Sequence, residues 1–557
     1  MNRLHDHQSF TAWRDACRAL ECARPCRILV CAGAACLYAG AKYVKEEFRR
    51  LAAAHPELSV NMEPDDGVYR TGCQGFCARG PLVRIRKGER EIQYMNVHTR
   101  DCAEVFEKSV LGDEVVERLL FADGASACER AGDIPFYARQ TRRILDDMAE
   151  RDVRSIGGYA ASGGLDALEK ALFSMTPAEV VDAVDASGLR GRGGGGFSTG
   201  FKWRAVVDAP GTEKYVVCNG DEGDPGAFLD GAIMEGDPYR LIEGMLLAGY
   251  AVGASRGFVY VRDEYPISIR RLNDAIGRLE ALGLLGEDIL GSGFSFRLTV
   301  YRGAGAFVCG EESALVNSLE GRRGMPRIKP PYLATEGFHG LPTLVNNVET
   351  YANVPFIVTH GAQAYRALGT PGCPGTKIYS LSGAVRYPGL VEVPLGTTLR
   401  EIVFGIGGGM PEGSAFKAVL VGGPTGRCLT ERHLDIPFDF DTAAANDAIV
   451  GSGGIIVLDQ TSSMVEMSQY LMAYSCRESC GKCTPCRIGT TRMLEILKRL
   501  NTRRALPGDL EQLEQTAVYV RNRAFCGLGK SAPLMVLSTL EDFREEYEAL
   551  CRREEEA

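Results

Sequence analysis

No stretch of this chain is apolar for long enough to cross a bilayer as a helix. Positive charge is not in excess either. The formal net charge is −9, which argues against nucleic acid as the main partner. There is no internal repeat and no low-complexity tract, so solenoid and disordered classes fall away. A secretory leader is poorly represented. The apolar segment Ile28–Leu37 follows Arg24 and Arg27, but it starts late and carries Cys31, Gly33 and Cys36, which suits a buried strand and loop better. At 557 residues the chain exceeds one core, so three or four domains are expected in a cytoplasmic protein, free or bound to a larger complex.

What the chain has in quantity is cysteine, 19 residues in spaced groups. A chain of this size is no disulfide-stapled secreted domain, so metal ligation is the better reading for at least eight of them. Cys480, Cys483 and Cys486 form a tight trio, and Cys526 follows forty residues on in Phe525-Cys526-Gly527-Leu528-Gly529. Such a trio plus one distant thiolate suits a [4Fe–4S] cube, because CxxC spacing sets neighbouring sulfurs on one side of a turn. A second set, Cys31-x4-Cys36 and Cys73-x3-Cys77, lies in a compact α/β unit over residues 26–110. Four thiolates in two pairs suit a [2Fe–2S] rhomb; zinc is the alternative, although these spacings are less usual for it. The other cysteines read as small apolar packing or surface.

In that unit the expected elements are a strand at Arg27–Val30, a helix at Ala41–Ala54, and strands Val83–Ile85 and Ile92–Tyr94 about a turn at Lys87–Gly88. Residues 130–365 alternate strand-like segments (Lys214–Val217, Phe258–Val261, Phe296–Tyr301) with helix-like ones (Thr176–Ala186, Arg240–Val252, Ile267–Leu282), which predicts an α/β sheet covered by helices. Residues 375–457 shift to short strands with one helix at Leu399–Val403. After Asp459 the pattern is helical. Met464, Met467, Tyr470, Leu471 and Tyr474 form one stripe and Met493, Leu494, Leu497 and Leu500 another, both read as core. Arg552–Glu556 reads as a frayed helix end.

The segment Gly188–Trp203, with Gly191 and Gly193–Gly196 at its centre, is the richest phosphate-type loop, with Arg192 and Lys202 able to add positive charge. It formally matches GxGxxG. A standard Rossmann reading is rejected because a helix, not a strand, precedes it. Tyr215–Gly226 is an apolar strand ending in Asn219, Asp221, Glu222 and Asp224, suited to ribityl or ribose hydroxyls and a flavin edge. Gly303–Ala314 is a second strand-to-helix glycine turn. Gly324–Tyr332 carries a Pro-Pro-aromatic element fit to stack on a ring, and leads to Val345-Asn346-Asn347-Val348-Glu349-Thr350.

Taken together, GRGGGGFSTGFKW, NGDEGDPGAF, GAGAFVCGEESAL, RGMPRIKPPY, VNNVET and ESCGKCTPCR…FCGLG resemble the NADH-binding flavoprotein subunit of respiratory complex I and its relatives in NAD-linked hydrogenases, formate dehydrogenases and bifurcating oxidoreductases. The resemblance covers about residues 130–550, and residues 26–110 resemble a thioredoxin-like [2Fe–2S] module. It implies an α/β multidomain protein: an extension (1–25), the thioredoxin-like [2Fe–2S] domain (26–125), a Rossmann-like FMN/NADH domain (126–368), an SLBB-type β-grasp domain (369–458) and a helical bundle bearing the [4Fe–4S] cluster (459–557). It implies FMN held by Arg192, Gly193, Gly194, Lys202, Asn219, Asp221, Glu222, Gly310, Glu311, Val345, Asn346, Asn347 and Thr350. NAD(H) is implied near Phe197, Lys202, Asp224, Glu312 and Tyr332. Partners implied are a small [2Fe–2S] protein and an iron–sulfur or catalytic subunit, with no nucleic acid and no membrane insertion.

Departures from the family pattern are Gly195, Ser198, Gly231 after Asp230, and Arg204-Ala205 where some relatives carry a further aromatic, so adenine stacking is expected to rest mainly on Tyr332. A terminal ferredoxin-like domain, common in close relatives, is not expected from the residues up to Ala557, nor is an electron exit through one. The expected activity is hydride transfer between NAD(H) and FMN, with no general base and single electrons passed to the clusters. The runner-up is a flavin-based bifurcating subunit. A zinc-binding scaffold is a different class, and it leaves the glycine loops idle. Glu222, Asp224 and Glu312 favour NAD, while Arg192, Arg204 and Arg327 keep NADP open.

Overall fold

The computed structural model describes residues 3–124 and 126–551. The Arg552–Glu556 tail lies outside them. Among the described residues no helix is long and apolar enough to cross a membrane.

The chain opens with a helix, His7–Cys22, started by a capping box between Asp6 and Ser9. It straps onto the α/β domain: Arg14 and Arg18 pair with Asp166, and Arg14 also reaches Glu169. Nothing in the sequence announces this role for residues 1–25.

The first sheet has the order β2-β1-β3-β4, with β1 (Arg27–Cys31), β2 (Val68–Thr71), β3 (Val83–Lys87) and β4 (Arg90–Tyr94). β1 runs parallel to β2 and antiparallel to β3. Three of these strands and the helix Ala41–Ala52 stand at the residues expected from sequence. β2 is an addition, because four residues between two turns carry too little pattern to be read. A hairpin of β5 (Phe121–Asp123) and β6 (Ser126–Cys128) follows.

The second sheet is wholly parallel, in the order β10-β7-β8-β9: β7 (Tyr215–Gly220), β8 (Arg256–Arg262), β9 (Arg297–Gly303) and β10 (Thr343–Asn347). Its strands are mostly buried, as a sheet with covered faces requires. The helices Pro238–Val252 and Val348–His360 pack on it, the former with nearly every residue buried. The chain adds β8 and β9 on one side of β7 and then returns to place β10 on the other. That makes the β7–β10 crevice the point where strand order reverses, the usual ligand position in such sheets.

The third sheet has the order β12-β11-β15-β13-β14: β11 (Thr376–Gly383), β12 (Gly389–Pro394), β13 (Phe416–Val421), β14 (Arg427–Leu429) and β15 (Gly454–Asp459). Only β11 and β15 pair in parallel. The expected helix at Leu399–Val403 is a wide helical turn at Glu401–Ile406, and a second short helix, Phe440–Ala445, joins it. A bundle led by Met464–Glu478, Thr484–Asn501 and Asp509–Arg523 completes the chain. In the first stripe Met464 and Leu471 are core, but Tyr470 is exposed and Tyr474 reaches another domain. Val465, Ser468 and Met472 take the buried places, so the face is rotated by about one residue.

Candidate functional site

The glycine loop runs between the helices Pro177–Ser187 and Thr199–Asp208, so a helix does precede it. Gly196 has φ +58°, and a Cβ there would meet the Phe440 ring at 2.5 Å. A Cβ on Gly193 would meet Asn347 at 2.9 Å. Bare backbone is therefore required where the loop passes over the C-terminal ends of β7 and β10. There the register sets Asn347 beside Asn219 and Asn346 beside Cys218.

Around that crevice Asn219 donates to the Gly310 carbonyl (2.9 Å) and accepts from the Asp221 amide (3.1 Å). Asn347 caps the helix Val348–His360 and donates to Asp230 (2.6 Å). The Thr350 hydroxyl accepts from the Arg192 amide (2.9 Å). Three acceptors in the same neighbourhood are buried without partners: Asn346 Oδ1, Asp221 Oδ2 and Asp230 Oδ1. Buried polar atoms are normally satisfied, so such a group of orphans fits a site completed by a polar ligand.

Burial raises the Asp221 pKa to about 7, against the pull of Arg262. Burial and the Glu222 charge push Asp230 well up. Asp224 rises to about 6 through burial, although the Ser452 hydroxyl donates to it.

The mouth of the site is charged and aromatic. Lys202 donates to Glu312 (2.8 Å) and to the Val345 carbonyl (3.0 Å). Lys329 bridges Glu311 and Glu312 at 3.0 and 2.9 Å. Burial alone would raise the Glu312 pKa, but the two lysines hold it at about 2. Phe197, Phe201 and Tyr332 stand exposed, with Phe197 and Phe201 edge to face.

Two assignments need correction. The Arg192 guanidinium does not face the loop's mouth. It is fully buried and donates to the carbonyls of Thr376, Pro374 and Arg190 and to the Tyr365 hydroxyl, pinning the loop to the third sheet. The Glu222 carboxylate is engaged by the protein itself: it accepts the amides of Leu229, Asp230 and Gly231 and so caps the helix Leu229–Gly236. Glu311 likewise caps the helix Glu312–Leu319 while facing Lys329. Phe201, Lys329, Asp230 and Ser452 belong to the site without having been singled out by sequence. The first two lie inside the motifs, but only the fold shows where they point.

Beside this site Cys480, Cys483, Cys486 and Cys526 line one cavity with Phe307, Val308 and Pro326 of the α/β domain and Thr425 of the third sheet. Among the described residues no three His, Cys, Asp or Glu side chains close on a single bare ion. The four thiols share that one cavity, a donor set of the kind an iron–sulfur cluster takes. Phe307 N donates to Glu478 (2.8 Å), Tyr474 OH to the Gly223 carbonyl (2.6 Å) and Lys482 to Pro326 O (2.5 Å), locking bundle to α/β domain. In the first module the free thiols of Cys31, Cys36, Cys73 and Cys77 lie close enough to shift one another's acidity, with Cys31 lowered and Cys36 and Cys73 raised. The Gln74 amide donates to Cys31 Sγ at 3.4 Å.

Residues 184–356 match the Nuo51 FMN-binding domain, residues 466–550 the NADH-ubiquinone oxidoreductase-F iron-sulfur binding region and residues 378–428 the SLBB domain. The chain is 50% identical over 398 residues to HndC, a subunit of the NADP-reducing hydrogenase of Solidesulfovibrio fructosivorans, covering 72% of this chain and 81% of the relative. It is 43% identical over 393 residues to the F subunit of the NADH-quinone oxidoreductase of Escherichia coli, covering 70% of this chain and 88% of the relative. The chain belongs to the family of NADH-quinone oxidoreductase F subunits. Its structure is also similar to a chain of a NAD+-reducing [NiFe]-hydrogenase in the H2-reduced state (TM-score 0.66, 29% identity, 97% of this chain and 87% of that one).

The matched segments fall on the site as built from its residues. The flavin-binding segment contains the glycine loop and the β7–β10 crevice, and the iron–sulfur segment contains all four thiols of the neighbouring cavity.

Proposed function

We propose that this protein is the electron-input unit of a multi-subunit oxidoreductase, exchanging electrons between NAD(H) and FMN and passing them singly to iron–sulfur clusters. The observation that carries the reading is the adjacency of two sites: a glycine cradle with orphaned buried acceptors at the β7–β10 crevice, and a set of four thiols sharing the Phe307–Val308 wall beside it.

FMN, when bound, supplies two-electron exchange with the nicotinamide and one-electron exchange with iron. The amides of Gly193 and Gly194 would receive its phosphate. Asn219, Asp221, Asn346, Asn347 and Thr350 would satisfy its polar edge and ribityl chain, with Gly310 and Val345 lending backbone. Near pH 7 the Asp221 carboxyl is poised both to donate and to accept. Arg192 and Glu222 hold the walls rather than the ligand. Glu311 would stand on the FMN side, and NAD(H) would enter between Phe197 and Tyr332, with Lys202 and Glu312 orienting it and Asp224 closing the far side.

Cys480, Cys483, Cys486 and Cys526 would hold the [4Fe–4S] cluster. Cys31, Cys36, Cys73 and Cys77 would hold a [2Fe–2S] cluster in a thioredoxin-like module, its four-stranded sheet and paired cysteine loops supporting that fold. The third sheet's strand order supports a β-grasp. The five-part division at residues 25, 125, 368 and 458, and a cytoplasmic place beside a small [2Fe–2S] protein and a catalytic or iron–sulfur subunit, are part of the same proposal.

NAD is favoured over NADP because the three arginines that kept NADP open are committed elsewhere. Arg192 is interior, Arg204 pairs with Asp182 and Asp185, and Arg327 pairs with Glu320. Anaerobically prepared protein should be brown, release FMN on heating and bleach with dithionite, and kcat/KM should favour NADH over NADPH. Colourless protein carrying zinc would remove the reading.

A further inference from the structure

A cavity of about 410 Å³ lies between the first module and the α/β domain, lined by Val30, Cys31, Ala32, Leu37, Ala41 and Ile267 and by four cations, Lys42, Lys45, Arg70 and Arg270. Among the described residues none of the four makes an ion pair. Their crowding registers on one another: burial first, then Arg70, Arg49 and Arg154, lower the Lys45 pKa against Glu46, and burial with Arg154 and Arg270 lowers that of Arg70 against Asp152 and Glu235. Behind them Arg271 is buried with its Nε unpartnered, its pKa brought down to about 10 by burial and by Arg70. Unpaired cations sharing a cleft favour an anionic partner.

The cavity's wall is redox-relevant, since Cys31 is part of it. The two cysteine loops of the module also face different ways. The Cys73–Cys77 loop is docked inward, with Leu390 N donating to Gly75 O (2.9 Å) and Ala78 N to Pro388 O (3.2 Å). The Cys31–Cys36 loop leads outward into the helices Ala34–Tyr38 and Ala41–Ala52. On them Tyr38 is 96% and Tyr43 62% exposed, beside exposed Ala34, Ala35 and Lys42. Exposed aromatics beside unpaired cations mark a protein-binding surface more than a small-anion pocket.

We infer that this face is a second electron port, where an acidic one-electron iron–sulfur carrier protein docks over Cys31 and Cys36. The inference rests on the [2Fe–2S] reading of Cys31, Cys36, Cys73 and Cys77. Each carrier molecule yields or takes one electron; two electrons and one proton convert one NAD+ to NADH, and the reverse direction balances in the same way.

The test uses the full chain, reconstituted anaerobically, with reduced acidic plant-type ferredoxin as donor, NAD+ as acceptor, and reduced methyl viologen as a small cationic control donor. Lys42→Glu/Lys45→Glu/Arg270→Glu should lower the ferredoxin rate at low salt about tenfold or more and flatten its salt dependence, leaving the viologen rate unchanged. Lys498→Glu/Arg504→Glu, exposed cations in the bundle, should change neither. Equal ferredoxin rates in the triple variant and the wild type, with the [2Fe–2S] EPR signal present, would overturn the port and leave the cluster standing. So would an unchanged rate in Cys36→Ala, or inhibition by phosphate well beyond chloride of equal ionic strength, which would mark a small-anion pocket. Wild-type protein without a [2Fe–2S] signal would remove the cluster and the port together.

Discussion

The two sets of thiols are built on opposite plans. Cys31, Cys36, Cys73 and Cys77 come from two loops of one small sheet, three of them buried, and all belong to that module, although the Cys73–Cys77 loop also docks on the third sheet. Cys480, Cys483, Cys486 and Cys526 are each half-buried, and their cavity is finished by loops from two other domains. A centre whose ligands all come from one module depends less on how the other domains are held together. A centre seated at a junction is tied to the flavin cradle next to it, and its performance depends on how tightly the domains are held. The second plan suits obligatory transfer from the cradle, and the first suits an independent port.

The largest expected effect follows from breaking one set at a time. Cys526→Ala should cut delivery of electrons from NADH to an iron–sulfur acceptor by a factor of about 100 or more, while direct reduction of ferricyanide continues. Cys36→Ala should leave the [4Fe–4S] EPR signal intact. Comparable loss of both signals in either variant would mean the sets are not independent.

Next comes the junction. Glu478→Gln/Lys482→Met removes two of its locks and should slow electron exit about tenfold with the cluster retained. The corresponding loosening of the first module's contact should have no such effect on exit. Stopped-flow reoxidation of the flavin, read beside iron content, measures this.

Arg192→Met should destabilise the chain by about 2–4 kcal/mol in denaturant unfolding, because several buried acceptors lose a charged donor at once. Had the guanidinium bound phosphate instead, the same variant would lose FMN affinity with little change in stability.

A gradual effect, spread over several pH units, is a pH dependence. The Asp221 pKa stands at about 7 against an ordinary 3.8, and that of Asp224 at about 6. The folded state therefore holds protons that the unfolded state has already released. Flavin-free protein should lose stability as pH rises from about 4 to 7, by at most on the order of 4 kcal/mol for Asp221. Asp221→Asn should remove that part of the slope, and an unchanged slope would place the titration elsewhere.

Much of this is legible in the sequence because local pattern carries it. The helix before the glycine loop, three strands of the first sheet and three of the second sit at or near the expected residues. Strand order, which places the β7–β10 crevice, is not legible, since it depends on pairings more than a hundred residues apart. Arg192 and Glu222 show the same limit within the site. Their motifs mark them correctly as neighbours of the cradle, but the direction of a side chain is set by what packs behind it: Tyr365 and Thr376 for one, the start of the Leu229–Gly236 helix for the other. Phe201 lies inside the glycine-loop motif, but nothing in the motif tells that its ring is exposed, and it proves to be 61% exposed.

The most direct test of the account is anaerobic incubation of the whole chain with NADH, followed by EPR and flavin analysis. We expect bound FMN and a reduced-cluster signal that disappears in Cys526→Ala. Protein that binds no FMN, or whose iron–sulfur signal after NADH is the same in wild type and Cys526→Ala, would contradict it.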